Sequence, residues 1–221
     1  MNKNSSILTD IKREFQKDNM INKLIMINLG VYLFVNILGV LFFLIKGQAD
    51  ALSPLINWVS VPAEIKQLAI QPWSIVTYMF LHEGFFHILF NMLWLFWIGR
   101  ILQDYLGVKK IFPIYFWGGI AGALLYIIAY NIFPVFDSVV NVSYALGASA
   151  GVAAIIIATA TLLPDYAIRL LFLGNIKLKW LALAFVLMDV ISIKGGNAGG
   201  HIAHLGGALL GFLFIKQLQN G

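Results

Sequence analysis

The sequence predicts an all-α polytopic membrane protein, with six transmembrane helices in a compact bundle. Of its 221 residues, 60% are hydrophobic and 11% are charged, whereas soluble domains average roughly 45–50% apolar and about 25% charged residues. The charged residues also leave long gaps, and an apolar run of about 20 residues is enough to cross the hydrocarbon core of a bilayer. Composition and charge spacing together argue against a water-soluble protein.

Six candidate spans follow from the gaps between charged residues. The first is the clearest, because no charged residue lies between Lys23 and Lys46. It is too long for the apolar core of a signal peptide, so we expect it to remain in the mature protein. A further uncharged stretch, 67–82, is shorter and contains Pro72, and we expect it to approach the second span along the membrane surface. The candidate spans are residues 22–46, 84–104, 110–133, 145–164, 177–194 and 199–217.

The positions of the basic residues predict the orientation. With the N-terminus in the cytoplasm, all but three of the 15 Lys and Arg residues fall on the cytoplasmic side, which is a strong positive-inside bias. Both termini are therefore expected inside. The net charge of +5 is thus explained by membrane topology, and we expect no nucleic-acid partner. The predicted organisation is a cytoplasmic tail over 1–21 and a membrane domain over 22–217, with an interfacial loop outside over 47–83.

Two polar-flanked segments are suited to the membrane surface. Apolar residues between Ile7 and Phe15 recur at helical spacing among basic residues, which is typical of a short amphipathic helix on the inner leaflet. A frayed tail is an equally good interpretation. In the loop, Trp58 and Trp73 favour the headgroup boundary, where tryptophan is enriched.

Polar residues within the predicted spans indicate a functional site, because such residues are costly in a bilayer. His87 and Asn91 are four residues apart and therefore share one face of the second span. Ser149 begins the fourth span among glycine and alanine, and His201 and His204 lie near the start of the sixth. Because these three spans run from outside to inside, we expect the groups at one depth near the outer face.

Each of these groups also has a purely structural interpretation. Gly147 and Gly151 form a small-residue pattern that commonly packs helices together, and Asn91 can link neighbouring helices. A lone His204 can be a buried, hydrogen-bonded side chain. Their common depth favours one assembled site. Asp189, which interrupts the fifth span, orients a histidine, pairs with a neighbour, or lies solvated near the interface.

Other motifs fit less well. Residues 147–151 match G-x-S-x-G, but that nucleophile motif requires a strand-to-helix turn in a sheet, and no sheet pattern is evident. His82 and His87 are five residues apart, whereas a helical zinc pair needs four. Histidines from several helices can still form a metal site, although the sequence reveals no carboxylate to support it. The absence of Cys excludes thiolate ligands and disulfides.

Taken in order, these motifs resemble those of the rhomboid intramembrane serine proteases. The resemblance covers nearly the whole chain from about residue 22. It rests on the approach loop with Trp73, His87-Ile88-Leu89-Phe90-Asn91, Gly147-Ala148-Ser149 and Ala203-His204-Leu205-Gly206-Gly207.

The resemblance implies a rhomboid-like bundle and a Ser–His dyad. Ser149 would be the nucleophile and His204 the base. The side chains of His87 and Asn91, with the backbone N–H of Ser149, would form the oxyanion hole. No cofactor and no metal are implied.

Two positions depart from the family pattern. Ala150 follows the nucleophile where the family usually has glycine. One turn further along the helix, Ala153 stands where some members have an aromatic residue that packs on the histidine. Neither departure removes a reacting group.

The expected function is therefore hydrolysis of peptide bonds near the outer end of transmembrane segments of other membrane proteins. The implied partners are transmembrane protein substrates and the lipid bilayer, and a chain of this size fits a bacterial inner membrane. Two alternatives remain open. One is a catalytically inactive relative that binds membrane clients, and the other is a small transporter or metal carrier.

Overall fold

The structure is a computed structural model that describes residues 19–170 and 174–220. The amphipathic helix predicted between Ile7 and Phe15 lies outside the described residues. In chain order the α-helices are α1 (Met20–Lys46), α2 (Ser53–Val59), α3 (Ile65–Ile70), α4 (Ser74–Thr77), α5 (Phe85–Leu106), α6 (Val108–Ile132), α7 (Ser149–Leu162), α8 (Leu178–Ser192) and α9 (Ala198–Asn220). Helices α1 and α5–α9 occupy the six predicted spans. The predicted all-α polytopic membrane fold is confirmed.

The helices that occupy the predicted spans differ in length. Helices α1, α5, α6 and α9 are long and apolar enough to cross a membrane. Helices α7 and α8 have 14 and 15 residues, or roughly 21–23 Å at 1.5 Å per residue. Both are shorter than the hydrocarbon core of about 30 Å. The number of six complete crossings therefore stays a prediction.

Short helices fill the segment between α1 and α5. The stretch 67–82, predicted to approach the second span along the surface, contains α4 and a 3₁₀ turn over Tyr78–Phe80. Trp73 donates its indole N–H to the carbonyl of Trp58 at 3.0 Å, and their ring centroids are 5.0 Å apart. Both rings remain exposed. Their predicted place at the headgroup boundary is consistent with this exposure and stays a prediction.

Two small antiparallel sheets were not predicted. Strand β1 (Val61–Pro62) pairs with β2 (Tyr144–Ala145), which ties the loop after α2 to the residues just before α7. Strand β3 (Ala167–Leu170) pairs with β4 (Gly174–Lys177) between α7 and α8. Near this second sheet, hydrogen bonds from Lys179 and Lys177 lower the pKa of the exposed Asp165 carboxyl to about 2.

Helix α7 occupies the centre of the bundle. Every residue from Ala150 to Ala160 is buried, and α5, α6, α8 and α9 all contact this helix. By contrast, α1 buries few of its residues. The helix that begins at Ser149 is therefore enclosed by the others, so its position is determined by packing on all sides.

Glycines allow α9 to approach α7 closely. A Cβ atom added to Gly207 or Gly211 would overlap the backbone of Ala150 or Ala154, respectively. Small-residue packing between the fourth and sixth predicted spans is thus present, and α9 supplies these glycines. Gly151 instead faces Tyr115 of α6, where an added Cβ would lie 2.8 Å from the ring.

Candidate active site

A glycine turn positions Ser149 at the start of α7. Gly147 has a φ of 134°, a conformation that residues with a Cβ rarely adopt. Its N–H donates to the carbonyl of Tyr78 at 2.9 Å. A Cβ at this position would lie 2.9 Å from the His87 ring and 3.5 Å from Ser149 Oγ. The lack of a side chain at Gly147 therefore lets His87 and the hydroxyl of Ser149 lie close together.

One cavity joins the residues that the sequence singled out. It has a volume of about 750 Å³, and His87, Asn91, Ser149 and His204 all line it. His201 is not among its lining residues. Much of the remaining wall is aromatic, from Phe86, Phe90, Trp94, Tyr126, Tyr130 and Phe185. The structure thus brings four of the candidate residues, from three helices, to one cavity.

Ser149 and His204 share this cavity without a direct bond. Both side chains are partly buried. Among the described residues, no hydrogen bond joins Ser149 Oγ to the His204 ring. Bonds of this kind are often long in ligand-free enzymes and tighten in the substrate complex.

The candidate oxyanion donors lie on α5 and at the N-terminus of α7. Asn91 is buried, and its Nδ2 donates to the His87 carbonyl at 2.9 Å, which leaves its second amide hydrogen available. Ser149 is the first residue of α7, so its backbone N–H has no acceptor within the helix. The same helix end carries a partial positive charge. These groups can stabilise a negative charge in the cavity that Asn91 and Ser149 line.

Asp189 of α8 contacts both histidines of α9. Its Oδ1 lies 2.9 Å from His204 Nδ1 and 2.7 Å from His201 Nδ1, and the residue is 5% exposed. Of the interpretations left open by the sequence, orientation of a histidine and pairing with a neighbour agree with this burial, and a solvated position does not. The three side chains also form a group of possible metal ligands. The sequence revealed no carboxylate that could support a metal site formed by histidines. In the structure Asp189 is such a carboxylate.

Sequence reasoning missed Phe185. It precedes Asp189 by four residues, so both project from one face of α8. Its ring is stacked on His204, with centroids 5.9 Å apart and an interplanar angle of 28°. The aromatic contact that Ala153 cannot provide is therefore made by α8. The one signal for it was its helical spacing from Asp189.

The other departure from the family pattern, Ala150, is accommodated by glycines on both neighbouring helices. Ala150 is 1% exposed. Its Cβ occupies the space where a side chain at Gly122 of α6 would lie, and its carbonyl contacts Gly207 of α9. A methyl group after the nucleophile thus fits because the opposing helices lack one.

His82 precedes α5, and its ring lies next to that of His87. The two ring centroids are 5.0 Å apart, although their sequence spacing does not fit a helical metal pair. His82 is 7% exposed, and neither ring nitrogen has a hydrogen-bond partner among the described residues. Burial, with a smaller effect from His87, lowers the pKa of His82 to about 4. His82 is therefore neutral at pH 7.

Comparison with known proteins identifies one matching family model and several relatives. The family model named Rhomboid domain matches residues 69–219. The chain is 30% identical to Rhomboid-related protein 1 of Caenorhabditis elegans over 155 residues, which cover 65% of this chain and 39% of that protein. It is 29% identical to RHOMBOID-like protein 1 of Arabidopsis thaliana over 154 residues, with 67% and 36% covered.

A shorter match involves a bacterial protein. The chain is 40% identical over 58 residues to the rhomboid protease GlpG of Serratia proteamaculans, covering 26% of this chain and 20% of that protein. These matches span well under half the length of each relative.

Proposed function

Because the chain belongs to the rhomboid family, we propose that it is an intramembrane serine endopeptidase that hydrolyses peptide bonds in or near transmembrane segments of other membrane proteins. The family membership, which the motifs predicted, rests on the match over residues 69–219. The observation that carries the proposal is the cavity lined by both Ser149 and His204. Family membership alone does not carry it, since inactive members exist.

In the proposed mechanism Ser149 is the nucleophile and His204 the general base. The Oγ of Ser149 attacks the carbonyl carbon of the peptide bond, and its proton passes to His204. His204 then gives this proton to the leaving amine, which departs and leaves an acyl group on Ser149. Water, activated by His204, hydrolyses the acyl-enzyme and restores the hydroxyl.

The tetrahedral intermediate carries negative charge on the former carbonyl oxygen. The proposed donors to this oxygen are the backbone N–H of Ser149 and the side chains of Asn91 and His87. Donors of this kind act most strongly as the charge develops, because they are oriented before the reaction.

Water and an extended substrate are both required at the cavity. A peptide bond within a helix is shielded by its own hydrogen bonds, so the substrate must unwind locally. Weak helix formers such as glycine near the cleaved bond favour this unwinding. The partners we propose are therefore transmembrane proteins with such residues, presented within the lipid bilayer.

The proposed setting is an integral protein of a bacterial inner membrane with both termini in the cytoplasm. The domain organisation stays as predicted: a tail over 1–21 and a membrane protease domain over 22–217 that includes the outer loop 47–83. The distribution of Lys and Arg supports this orientation.

A second candidate is a catalytically inactive family member that binds membrane clients. The lack of a hydrogen bond between Ser149 and His204 within the described chain favours it. Intact reacting groups in one cavity argue for the protease, and a cleavage assay distinguishes the two.

The test compares two serines that line the same cavity. Purified wild-type protein in liposomes is incubated with a model transmembrane substrate, alongside Ser149→Ala and Ser143→Ala. Ser143 also lines the cavity, but no step of the mechanism uses it. We expect Ser149→Ala to abolish cleavage and Ser143→Ala to retain it. Equal cleavage by wild type and Ser149→Ala would reject the proposal.

A further inference from the structure

We propose that Asp189 is a positioning residue, which holds His204 in the tautomer with hydrogen on Nδ1 and so leaves Nε2 free to act as the base. The inference rests on the proposed function, because it gives His204 the role of base. It adds an acidic residue that the implied dyad lacks, and a second supporting contact from Phe185.

The first step of the argument is the direction of the hydrogen bonds. A carboxylate only accepts, so a nitrogen bonded to it must carry a hydrogen. His204 Nδ1 lies 2.9 Å from Asp189 Oδ1, the length expected for an N–H bond to a charged oxygen. In a neutral imidazole with hydrogen on Nδ1, the other nitrogen is the acceptor. That nitrogen is Nε2.

The second step is the burial of the carboxylate. Asp189 is 5% exposed, and a buried charge is strongly unfavourable unless hydrogen bonds compensate for it. Along α8, Leu178 and Asp189 are the buried residues, so this acid is turned towards the bundle. Its partners there are His201 and His204.

The third step is the contact on the face of the imidazole. The Phe185 ring stacks on His204, one helical turn before Asp189. Asp189 fixes the Nδ1 edge of the ring, and Phe185 restricts rotation about the remaining side-chain bonds. Two contacts from one helix thus define the orientation of the base.

The same three polar residues can also hold a metal ion, and distances distinguish the two interpretations. Tetrahedral zinc with bonds of about 2.0–2.2 Å separates its ligand atoms by roughly 3.3–3.6 Å. The observed separations are 2.7 and 2.9 Å. These are hydrogen-bond lengths, so the geometry favours a proton between each pair of atoms.

His201 shares the carboxylate but not the cavity. Its Nδ1 lies 2.7 Å from the same Oδ1, and it does not line the cavity that contains Ser149. It therefore helps to compensate the buried charge without facing the reaction. Replacing His201 leaves the bond between Asp189 and His204 possible.

The experiment combines kinetics with nitrogen NMR on Asp189→Asn. The chain has four histidines, so single substitutions assign the ¹⁵N signals of each ring in labelled protein. Asp165→Asn is the matched control, because Asp165 is exposed and paired with lysines away from the cavity. We measure kcat and KM for a model transmembrane substrate and the tautomer of His204.

Wild type is expected to show His204 with hydrogen on Nδ1. In Asp189→Asn the amide can donate to Nδ1, which stabilises the opposite tautomer; in soluble serine proteases the corresponding change lowers kcat by about 10⁴-fold. We expect a fall in kcat of at least about tenfold, KM within about twofold, and a shift of His204 towards the Nε2–H form. Asp165→Asn should match wild type in all three measurements.

Several outcomes would overturn the proposal. The proposal is overturned if His204 of the wild-type protein carries its hydrogen on Nε2. This measurement needs no variant, so it decides the matter even if Asp189→Asn fails to fold. An unchanged tautomer or unchanged kcat in a folded Asp189→Asn overturns the proposal as well. If wild type fails to cleave, the proposed function fails, whereas the tautomer of His204 remains measurable and tests the positioning separately.

Discussion

The reactivity of the Ser149 hydroxyl towards a fluorophosphonate tests the proposed dyad, and this test does not require the substrate to be known. A fluorophosphonate reacts readily with a serine only when a neighbouring base activates it. We expect labelling at Ser149 in wild type, no labelling in Ser149→Ala, and a steep loss in His204→Ala. His201→Ala should retain labelling. The measurement is mass spectrometry of the labelled peptide.

The fluorophosphonate reaction also tests the implied absence of a metal. A chelator should leave labelling unchanged, because the proposed mechanism uses no metal. Chelator-sensitive labelling would indicate an ion at Asp189, His201 and His204. Labelling of another serine would contradict the choice of nucleophile.

Asn91 has a close structural match on α1. Its amide donates to the carbonyl four residues earlier, and Asn36 makes the same bond to Tyr32. We expect Asn91→Ala to lower kcat by about 10²–10³-fold, the usual effect of losing one oxyanion donor, while Asn36→Ala keeps wild-type turnover. The backbone N–H of Ser149 remains, so some activity should persist. Equal turnover in both variants would remove Asn91 from the oxyanion hole.

His82 predicts a pH dependence of stability. Its pKa falls from 6.5 to about 4 on folding, so between these values the unfolded chain binds the extra proton. Stability should therefore decrease as the pH falls through this window and be unaffected by His82 above it. We expect His82→Phe to weaken this decrease, measured as the thermal midpoint in detergent at pH 7 and 4.5. A wild-type slope in the variant would contradict the burial argument.

At the residue scale, the sequence predicted the candidate site better than its supports. Polar residues of the second, fourth and sixth spans share one cavity because their helix positions are fixed by chain direction and spacing. The contacts of Asp189 and Phe185 with His204 depend on how α8 is rotated against α9. Hydrophobicity along α8 does not determine that rotation, because apolar side chains occupy both its exposed and its partly buried faces.

At the element scale, α9 and α7 are held together by backbone contact. Gly207 follows the proposed base, His204, by three residues. A methyl group at Gly207 would overlap the backbone of Ala150, which adjoins Ser149. We expect Gly207→Ala to lower stability by about 1–3 kcal/mol, the range for overpacking, and to reduce cleavage by separating His204 from Ser149. The measurements are the thermal midpoint and the turnover of the model substrate.

The control for this substitution lies in the middle of α1. An added Cβ at Gly30 meets no atom within 4 Å, so Gly30→Ala introduces the same methyl group into open space. It should leave turnover unchanged and match or slightly exceed wild-type stability. If Gly207→Ala behaves like Gly30→Ala, close contact between α7 and α9 is not required.

Helices were predictable where apolar runs were long, and strands were not. The predicted span 177–194 corresponds to α8 at Leu178–Ser192, and 145–164 corresponds to the shorter α7. The first residues of that predicted span, 145–148, contain the end of β2 and the glycine turn instead. A two-residue strand such as β1 or β2 offers no alternation that a sequence pattern can reveal.

At the scale of the whole molecule, the absence of cysteine makes the orientation directly testable. Single cysteines can be placed at exposed positions against a background with no other thiol. We expect Gln48→Cys and Asn141→Cys to react with a membrane-impermeant thiol reagent in intact cells. Lys109→Cys should react only after the membrane is opened. The reverse pattern would place both termini outside.

The shortness of α7 has a consequence for where substrates are cut. Its 14 residues measure roughly 21 Å, about 9 Å less than the hydrocarbon core. Ser149 is its first residue, which is the outer end in the proposed orientation. If the inner end of α7 lies at the inner boundary, Ser149 lies well below the outer lipid surface. The length of α7 and the thickness of the surrounding lipid then determine together which peptide bond along a substrate reaches the hydroxyl of Ser149.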